Sequence, residues 1–231
     1  MRIALCILTK NEKECVEVMF PRIPAPSTPN AGFDEIVVVD GGSTDGTVEY
    51  FTQRGVKVIG QSKRGRGEAF HLAFEQIKAD AYIFFSPDGN EDPEDLPKFR
   101  KYLSEGADIV IASRMMKGAR NEEDDQIFRW RKWANNAFNL MANIAFRKKG
   151  PFITDSINGY RAITKSATET LKLDASDYTI EYQMTMRAFK SGLKIAEFPT
   201  IEGNRIFGET QARSIPTGIR FLKAFYHELT H

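Results

Sequence analysis

Short apolar runs alternate with helix-like segments through the first half of the chain, and this alternation constrains the fold more than any other feature. Each run is continuously apolar, which is typical of parallel strands that helices cover on both faces. The pattern predicts strands at residues 3–8, 36–40, 56–59, 81–86 and 108–112, and helices at residues 45–54, 67–78 and 93–103. A strand–helix repeat of this kind predicts an α/β fold on a parallel sheet with right-handed crossovers.

The second half of the chain is less regular. Its pattern predicts, in order, an acidic loop at residues 121–126, a long helix at 126–146, strand-like pieces at 152–163, a helix at 180–190, a strand at 193–198 and a closing helix at 217–229. The chain has 231 residues, of which 42% are hydrophobic, and it carries no internal repeat. We therefore predict one domain over residues 1–231 with a sizeable core.

Composition argues against several classes of protein. Basic and acidic residues nearly balance, 32 against 31, and this balance gives no reason to expect nucleic-acid binding. The two cysteines, Cys6 and Cys15, form no disulfide framework, which favours a reducing cytoplasm. No stretch approaches the ~18 apolar residues of a membrane span, so we expect any membrane contact to be peripheral.

Polar residues follow four of the predicted strands, at the edge where open parallel sheets bind ligands. These sets are residues 9–12 after the first strand, 40–46 after the second, 86–90 after the fourth, and Arg114 after the fifth. Because the carboxyl ends of parallel strands share one edge, we expect the four sets to meet in one site.

Asp40 ends an apolar strand and is followed by Gly41 and Gly42. A carboxylate in this place can accept hydrogen bonds from a base or a ribose, while the glycines let a ligand approach the backbone closely. A carboxylate that caps a tight turn would leave the same pattern. The position alone leaves both interpretations open.

Asp88 and Asn90 lie two positions apart after the fourth strand, so in an extended segment both side chains would point the same way. Two hard oxygen ligands on one side suit Mg²⁺ or Mn²⁺ bridging to substrate phosphates. An ordinary Asp-Gly-Asn turn is the alternative, and the local pattern alone favours it.

Residues 63–67, Lys-Arg-Gly-Arg-Gly, bring three cations and two glycines to the start of a predicted helix. Such a segment can hold a phosphate or a nucleotide. A solvated charged loop explains the pattern equally well. The segment is not a P-loop, because the spacing of that motif is absent.

Taken together and in order, these segments resemble glycosyltransferase family 2, whose members have the GT-A fold. The most specific piece is Asp-Gly-Gly-Ser-Thr-Asp-Gly-Thr at residues 40–47, and the resemblance covers nearly the whole chain. The other matching segments are residues 8–12, 64–67, 84–88, 107–114, 155–161 and 182–184. The resemblance implies a Rossmann-like α/β fold with a mainly parallel central sheet flanked by helices.

Within that family the chain looks most like the polyprenyl- and dolichyl-phosphate sugar transferases. These enzymes move mannose or glucose from GDP or UDP to a lipid phosphate with inversion, and the base and the sugar stay open here. The resemblance implies a donor site with three parts. Its nucleotide pocket would contain Thr9, Asn11, Glu12 and Arg64, and Asp40 would contact the base or the ribose. Asp88 and Asn90 would bind Mg²⁺ or Mn²⁺.

The resemblance also implies residues for the acceptor. Arg114 would face the acceptor or the leaving diphosphate, and Asp88 and Arg114 would act in catalysis together with Asp155. Cations for an acceptor phosphate would come from Arg129, Arg131 and Arg205. Residues 1–114 would then form the half that binds the nucleotide sugar, and residues 115–231 the half that binds the acceptor.

Two departures from the family pattern bear on this interpretation. Where the family has Asp-x-Asp, the chain has Ser86-Pro87-Asp88, so one carboxylate is missing and metal binding is expected to be weaker or to depend more on Asn90 and the diphosphate. The late segment Arg…Gly-Ser-Lys reads Arg-Ile-Phe-Gly-Glu-Thr at residues 205–210, without the lysine expected to help hold phosphate. A non-catalytic nucleotide-sugar-binding protein is therefore the alternative from another class.

The acceptor decides what else the reaction needs. A lipid phosphate is already ionised at pH 7 and requires only cations to position it. A sugar hydroxyl, as in polysaccharide or glycan synthesis, requires a carboxylate base within hydrogen-bond reach. Asp155 and Glu181 are the candidates for that base, and a turn residue and a helix-surface charge are the respective alternatives.

Residues 126–149 carry six cations and no acidic residue, with an apolar stripe at helical spacing that includes Trp130 and Trp133. A basic amphipathic helix with tryptophans suits peripheral contact with the inner face of a membrane. A helix packed on the sheet with solvated cations would show the same pattern. The closing helix offers a second interfacial element or the surface of a homodimer.

Overall fold

The apolar runs of the sequence form the strands of one sheet in the computed structural model, which describes residues 1–207 and 214–231. The strands of these ranges are β1 Ile3–Thr9, β2 Glu35–Asp40, β3 Lys57–Gly60, β4 Ala81–Phe85, β5 Ile109–Ser113, β6 Arg161–Thr164 and β7 Ile195–Pro199. The α-helices are α1 Lys13–Met19, α2 Thr47–Thr52, α3 Arg66–Gln76, α4 Leu96–Ser104, α5 Trp130–Phe146, α6 Lys165–Leu171, α7 Ile180–Ser191 and α8 Ser214–Thr230.

The sheet is mixed but mainly parallel, in the order β3-β2-β1-β4-β6-β5-β7. Strand β6 runs antiparallel to both of its neighbours, β4 and β5, and every other pair is parallel. The predicted α/β fold with a mainly parallel sheet is thus confirmed. Because Arg161 at the start of β6 pairs with Ile111 near the end of β5, the segment before β6 lies at the same edge as the loops after the parallel strands.

Helices cover both faces of the sheet, which explains why consecutive residues of the central strands are apolar. One face of β1 places Ile3, Leu5 and Ile7 in a core that includes side chains of α1, α2 and α4. The other face places Ala4 and Cys6 in a core that includes side chains of α3, α5 and α7. In the second core the rings of Phe70 and Phe84 stack with their centroids 3.7 Å apart.

Some element boundaries differ from the prediction. The long helix begins at Trp130 rather than at residue 126, and just before it the Arg129 side chain donates a hydrogen bond to the carbonyl of Asp124. Residues 93–95 form a 3-10 turn ahead of α4. Helices α1 and α6 were not predicted from the sequence.

Of the strand-like pieces predicted at residues 152–163, only the part within β6 is a strand. Two buried asparagines of α5 bind the backbone of the rest. Asn143 accepts a hydrogen bond from the backbone N of Ile153 at 3.0 Å and donates one to its carbonyl at 2.8 Å. Asn139 accepts from the backbone N of Ser156 at 2.8 Å. Side-chain amides therefore satisfy backbone groups that a neighbouring strand would otherwise pair.

The glycines at the start of α3 serve close packing against the loop that precedes α7. A Cβ atom at Gly67 would collide with the carbonyl oxygen of Ala175, and one at Gly65 with that of Ser176. The backbone N of Glu68 donates to the Ser176 carbonyl at 3.3 Å. These glycines thus allow a distant loop to reach the edge of the sheet where the parallel strands end.

We expect Gly67→Ala to lower the free energy of unfolding by about 1–3 kcal/mol, because the added methyl meets rigid backbone rather than a flexible side chain. Gly60→Ala is the matched control, since a Cβ there meets no atom within 4 Å. Urea unfolding followed by circular dichroism measures both variants. Equal stability of the two would contradict the packing role of Gly67.

Candidate active site

The loops after four strands enclose a polar cleft, here called the strand-end cleft, with a volume of about 380 Å³. Of the residues predicted for the site, Thr9, Glu12, Arg64, Asp88 and Arg205 line it. Residues from the sets predicted after β1, β2 and β4 thus meet, with Gly41 as the one from β2, whereas Arg114 of the fourth predicted set lines a different cleft.

Asp40 and Asn11 hold the loop after β2 rather than line the cleft. The carboxylate of Asp40 is buried and accepts hydrogen bonds from the backbone N of Gly42 at 2.9 Å and of Ser43 at 2.8 Å, and from the Thr9 hydroxyl at 3.1 Å. Asn11 accepts from the backbone N of Thr44 at 2.8 Å. This geometry matches the turn-capping interpretation of Asp40, and a direct contact with a nucleoside stays a prediction for both residues.

Arg205 joins two carboxylates that come from different strand ends. Its guanidinium lies 2.7 Å from Glu12 Oε1 and 2.9 Å from Asp88 Oδ2. Burial raises the pKa of Glu12 above its ordinary value, and the charge of Arg205 acts against that rise. Arg205, predicted for an acceptor phosphate, thus lies beside the residues predicted for nucleotide and metal. The departure at residues 208–210 falls outside the described residues.

Residues 87–90 form a turn, so the extended conformation assumed for Asp88 and Asn90 is wrong. Asp88 Oδ1 accepts a hydrogen bond from the backbone N of Asn90 at 3.2 Å, and Gly89 between them has a φ of +101°. The short polar side chain of an aspartate favours such a turn over continued strand. The two side chains are therefore placed by the turn and not by strand alternation.

These residues fit a divalent ion in part. The side-chain oxygen Asn90 Oδ1 is buried and, within residues 1–207 and 214–231, has no hydrogen-bond partner. No group of three or more His, Cys, Asp and Glu side chains in those ranges is arranged around a metal. Oxygens of a bound diphosphate or of water would therefore have to complete a coordination sphere that begins at Asp88 and Asn90.

Arg66 forms a buried ion pair that the sequence pattern did not indicate. Its guanidinium pairs with the carboxylate of Glu181 at the start of α7, and it also lies 3.4 Å from the Ser86 hydroxyl. Glu181 is buried, so the helix-surface interpretation is wrong. Its carboxylate is held by the arginine and is not free to act as a base.

Arg114, at the end of β5, pairs with two carboxylates. Asp155 is fully buried, and its two oxygens lie 2.8 Å and 3.0 Å from the Arg114 guanidinium. Glu202 lies 3.3 Å from the third guanidinium nitrogen and accepts from the Asn121 amide at 2.7 Å. In this structure the Asp155 carboxylate therefore binds and orients Arg114. It is not a free carboxylate that faces a substrate.

Glu197 holds the backbone beneath that cluster, and sequence reasoning missed it because it is an ordinary mid-strand residue of β7. Its carboxylate accepts hydrogen bonds from the backbone N of Thr154 at 2.8 Å and of Asp155 at 2.9 Å. Burial raises the pKa of Glu197 to about 7, although the two backbone donors act in the other direction. Glu197 thus fixes the segment that carries Asp155.

A second cleft, the helix cleft, lies between α5 and α8 and has a volume of about 400 Å³. Apolar side chains such as Trp130 and Phe138 line it together with the cations Arg114, Arg131 and Lys132. The same cleft contains the carboxylates of Glu122 and Glu123, which pair with Arg131 at 2.7 Å and 3.0 Å.

The structure assigns different surroundings to the two arginines predicted for an acceptor phosphate on α5. Arg131 lines the helix cleft, whereas Arg129 pairs with Asp124 at 3.4 Å beside it. Carboxylates of the acidic loop before α5 neutralise both arginines. The predicted basic helix covered residues 126–149 only and so did not include these carboxylates. Their contact with a phosphate stays a prediction.

Two polar residues of the strand-end cleft lie outside every segment predicted for the site. Gln61 follows β3, so the same strand-end rule would have found it had it been applied to the third strand. Tyr178 comes from the loop before α7, where no motif marks it. Long-range packing against α3 brings that loop to the cleft.

The mainly parallel seven-stranded sheet with helices on both faces is the GT-A fold. Glucosyl-3-phosphoglycerate synthase from Mycobacterium tuberculosis, solved with Mn²⁺, UDP-glucose and phosphoglyceric acid, has the same fold with a TM-score of 0.76 at 20% sequence identity. The alignment covers 99% of this chain and 80% of that one.

The chain belongs to glycosyl transferase family 2, whose profile matches residues 5–169. Glycosyltransferase AglJ of Haloferax volcanii is 32% identical over 204 residues, which are 85% of this chain and 62% of that protein. The dolichol-phosphate mannosyltransferase of Pyrococcus furiosus is 30% identical over 237 residues, 98% of this chain and 63% of that protein. The chain thus spans somewhat less than two thirds of the length of these two relatives.

The raised pKa of Glu197 predicts a pH dependence of stability. A carboxylate whose folded pKa exceeds its unfolded value binds more protons when folded, so stability falls as pH rises between the two values. With a folded pKa of about 7, raising the pH from 5 to 8 should lower the free energy of unfolding by roughly 2 kcal/mol more in the wild type than in Glu197→Gln.

Denaturant unfolding at a series of pH values measures this difference in slope. Glu17→Gln, at an exposed position of α1, controls for the loss of a carboxylate. Identical slopes for the wild type and Glu197→Gln would show that Glu197 does not titrate in this range.

Proposed function

We propose that the chain transfers a hexose from GDP- or UDP-sugar to a polyprenyl phosphate at the cytoplasmic face of a membrane, with inversion at the anomeric carbon. The observation that carries this proposal is the strand-end cleft, where Thr9, Glu12, Arg64 and Asp88 converge. The similarity to a dolichol-phosphate mannosyltransferase supports the choice of acceptor.

In the proposed donor site, Arg64 and Lys10 face the phosphates of the nucleotide sugar, and both line the cleft. Asp88 and Asn90 would hold Mg²⁺ or Mn²⁺, which supplies positive charge to the leaving diphosphate. Arg205 holds Glu12 and Asp88 at fixed positions, so the walls of the cleft are preorganised. Tyr178 and Arg205 also line this cleft. Residues 115–231 therefore contribute to the proposed donor site as well.

The surroundings of the two candidate bases favour a phosphate acceptor over a sugar hydroxyl. Asp155 is held by Arg114 and Glu181 by Arg66, so neither carboxylate is free to take a proton. A lipid phosphate brings its own negative oxygen and needs no base. We propose that Arg114, which lines the helix cleft, orients this phosphate, and that Asp155, Glu197 and Glu202 position Arg114.

Exposed apolar side chains on α5 and α8 support contact with lipid. On α5 they include Trp133, Leu140 and Ile144, which are 50–76% exposed and recur at helical spacing. The equivalent residues of α8 are Ile219, Leu222, Tyr226 and Leu229. Two adjacent helices with such stripes suit the surface of a bilayer.

Among residues 1–207 and 214–231, no helix combines the length and the apolarity needed to cross a membrane.

The donor site predicts that UDP or GDP stabilises the folded protein in the presence of Mn²⁺. At 100 times its dissociation constant a ligand adds about 2.7 kcal/mol, which for a domain of this size raises Tm by roughly 5–10 °C. Asp88→Asn should abolish the part that requires Mn²⁺. A thermal-shift panel of both nucleotides and their sugars, with and without Mn²⁺, measures this.

A neighbouring pair of cations gives the matched control for the same measurement. Arg64 lines the cleft and Lys63 does not, so Arg64→Ala should weaken nucleotide binding by roughly 10-fold or more, and Lys63→Ala much less. If no nucleotide changes the Tm of the wild-type protein, the donor site is refuted. Binding without release of nucleotide on adding polyprenyl phosphate would instead support a non-catalytic binding protein.

The apolar stripe of α5 predicts that the protein binds vesicles. Leu140→Ser combined with Ile144→Ser should lower partitioning onto vesicles containing anionic lipid by on the order of 10-fold, because two exposed apolar side chains no longer enter the bilayer. Vesicle sedimentation measures the bound fraction.

Val18→Ser removes an exposed apolar side chain from α1, away from this surface, and should leave partitioning unchanged. Equal binding of the double variant and the wild type would rule out α5 as the lipid contact. A dimer in the wild type that the double variant loses would assign the stripe to a homodimer instead.

A further inference from the structure

Glu91 directly follows the turn that carries Asp88 and Asn90, and its side chain reaches back to the residue before that turn. Its Oε2 atom accepts a hydrogen bond from the backbone N of Ser86 at 2.7 Å. Ser86 is the position at which the family pattern has its first aspartate. The chain folds back over five residues, and the Glu91 carboxylate comes to lie beside the residue whose own carboxylate is missing.

The Glu91 carboxylate has no cation of its own. It forms no ion pair within residues 1–207 and 214–231, and the charges that act on its pKa are those of Asp88, Arg66 and Arg114. Both arginines are already paired, Arg66 with Glu181 and Arg114 with Asp155. Burial raises the pKa of Glu91 well above its ordinary value, the charge of Asp88 adds to the rise, and the Ser86 N–H and the two arginines act against it.

Asp88 Oδ2 lies 2.9 Å from Arg205 and Glu91 Oε2 accepts from the Ser86 N–H at 2.7 Å, and neither contact joins the two carboxylates. A second, independent feature of the turn points the same way, because the buried oxygen Asn90 Oδ1 also lacks a partner in the described part of the chain. Asp88, Asn90 and Glu91 thus offer several hard oxygen atoms, and the only cation that the described residues pair with them is Arg205, at one oxygen of Asp88. A small divalent cation is the ligand that satisfies such a set.

We propose that Glu91 supplies the carboxylate that Ser86 lacks, so that Asp88, Asn90 and Glu91 together hold the divalent ion of the donor site. The inference rests on the proposed function, because that function requires the ion next to a nucleoside diphosphate. It explains how the chain keeps two carboxylates in the turn although the sequence motif retains one.

Glu91→Gln tests this with little disturbance of the fold, because the glutamine keeps an oxygen that can accept from the Ser86 N–H. Binding of Mn²⁺ in the presence of UDP or GDP is measured by the loss of the electron paramagnetic resonance signal of free Mn²⁺. We expect the dissociation constant for Mn²⁺ to rise by roughly 10-fold or more in the variant. Nucleotide binding without metal should change little.

Rescue provides the sharper measurement. Ser86→Asp introduced into Glu91→Gln returns a carboxylate to the turn at the family position, and Mn²⁺ affinity should recover to within a few-fold of the wild type. Glu94→Gln is the matched control, because Glu94 is an exposed glutamate three residues further on. It should bind Mn²⁺ as the wild type does.

The outcomes separate the two proposals. Wild-type protein that takes up no Mn²⁺ with any nucleotide refutes the metal-dependent donor site, and the role of Glu91 fails with it. Wild-type binding that Glu91→Gln leaves unchanged refutes the role of Glu91 alone. Denaturant unfolding of the metal-free variants checks folding, and Glu91→Gln should be no less stable than the wild type because the variant loses a partly buried carboxylate that forms no ion pair with the described residues.

Discussion

Three arginines hold the functional edge of the sheet together by pairing with carboxylates that are far away in the sequence. The pairs are Arg205 with Glu12 and Asp88, Arg66 with Glu181, and Arg114 with Asp155 and Glu202. Backbone hydrogen bonds reinforce two of these joins, since the N of Ile206 donates to the Asp88 carbonyl at 2.9 Å and the N of Glu68 to the Ser176 carbonyl at 3.3 Å. Removing one member of a buried pair leaves an uncompensated charge and typically costs about 3–5 kcal/mol. The shape of both clefts therefore depends on these ion pairs as much as on the strands.

The sheet was predictable because burial on both faces leaves a simple signature, a short run in which every residue is apolar. Strands β1, β2 and β4 were located by this signature, and the strand-end rule then indicated Thr9, Glu12 and Asp88 as neighbours. The antiparallel strand β6 and the Asn139–Asn143 contacts were not predictable in the same way. They depend on where α5 lies against the sheet, which no local pattern of residues 152–163 records.

The roles of individual side chains were less predictable than their location. Asp40 and Asp155 each carried two interpretations, and for both the structure shows oxygen atoms already occupied, by a backbone turn in one case and by Arg114 in the other. A sequence gives the position of a carboxylate along the chain, but its partner is set by the tertiary fold. Glu197, for the same reason, gave no signal at all, since its hydrogen bonds reach a segment more than forty residues away.

The position of Arg205 suggests how the proposed donor site stays intact before substrate arrives. Its guanidinium neutralises Asp88 through the oxygen Oδ2, and a cation bound at Asp88 would compete with it for that carboxylate. A diphosphate entering with the cation offers the guanidinium new acceptor oxygens of the kind it prefers. Arg205 would then exchange a carboxylate for a phosphate while Glu12 continues to hold it on the other side. One arginine would in this way stabilise the empty cleft and contribute charge to the filled one.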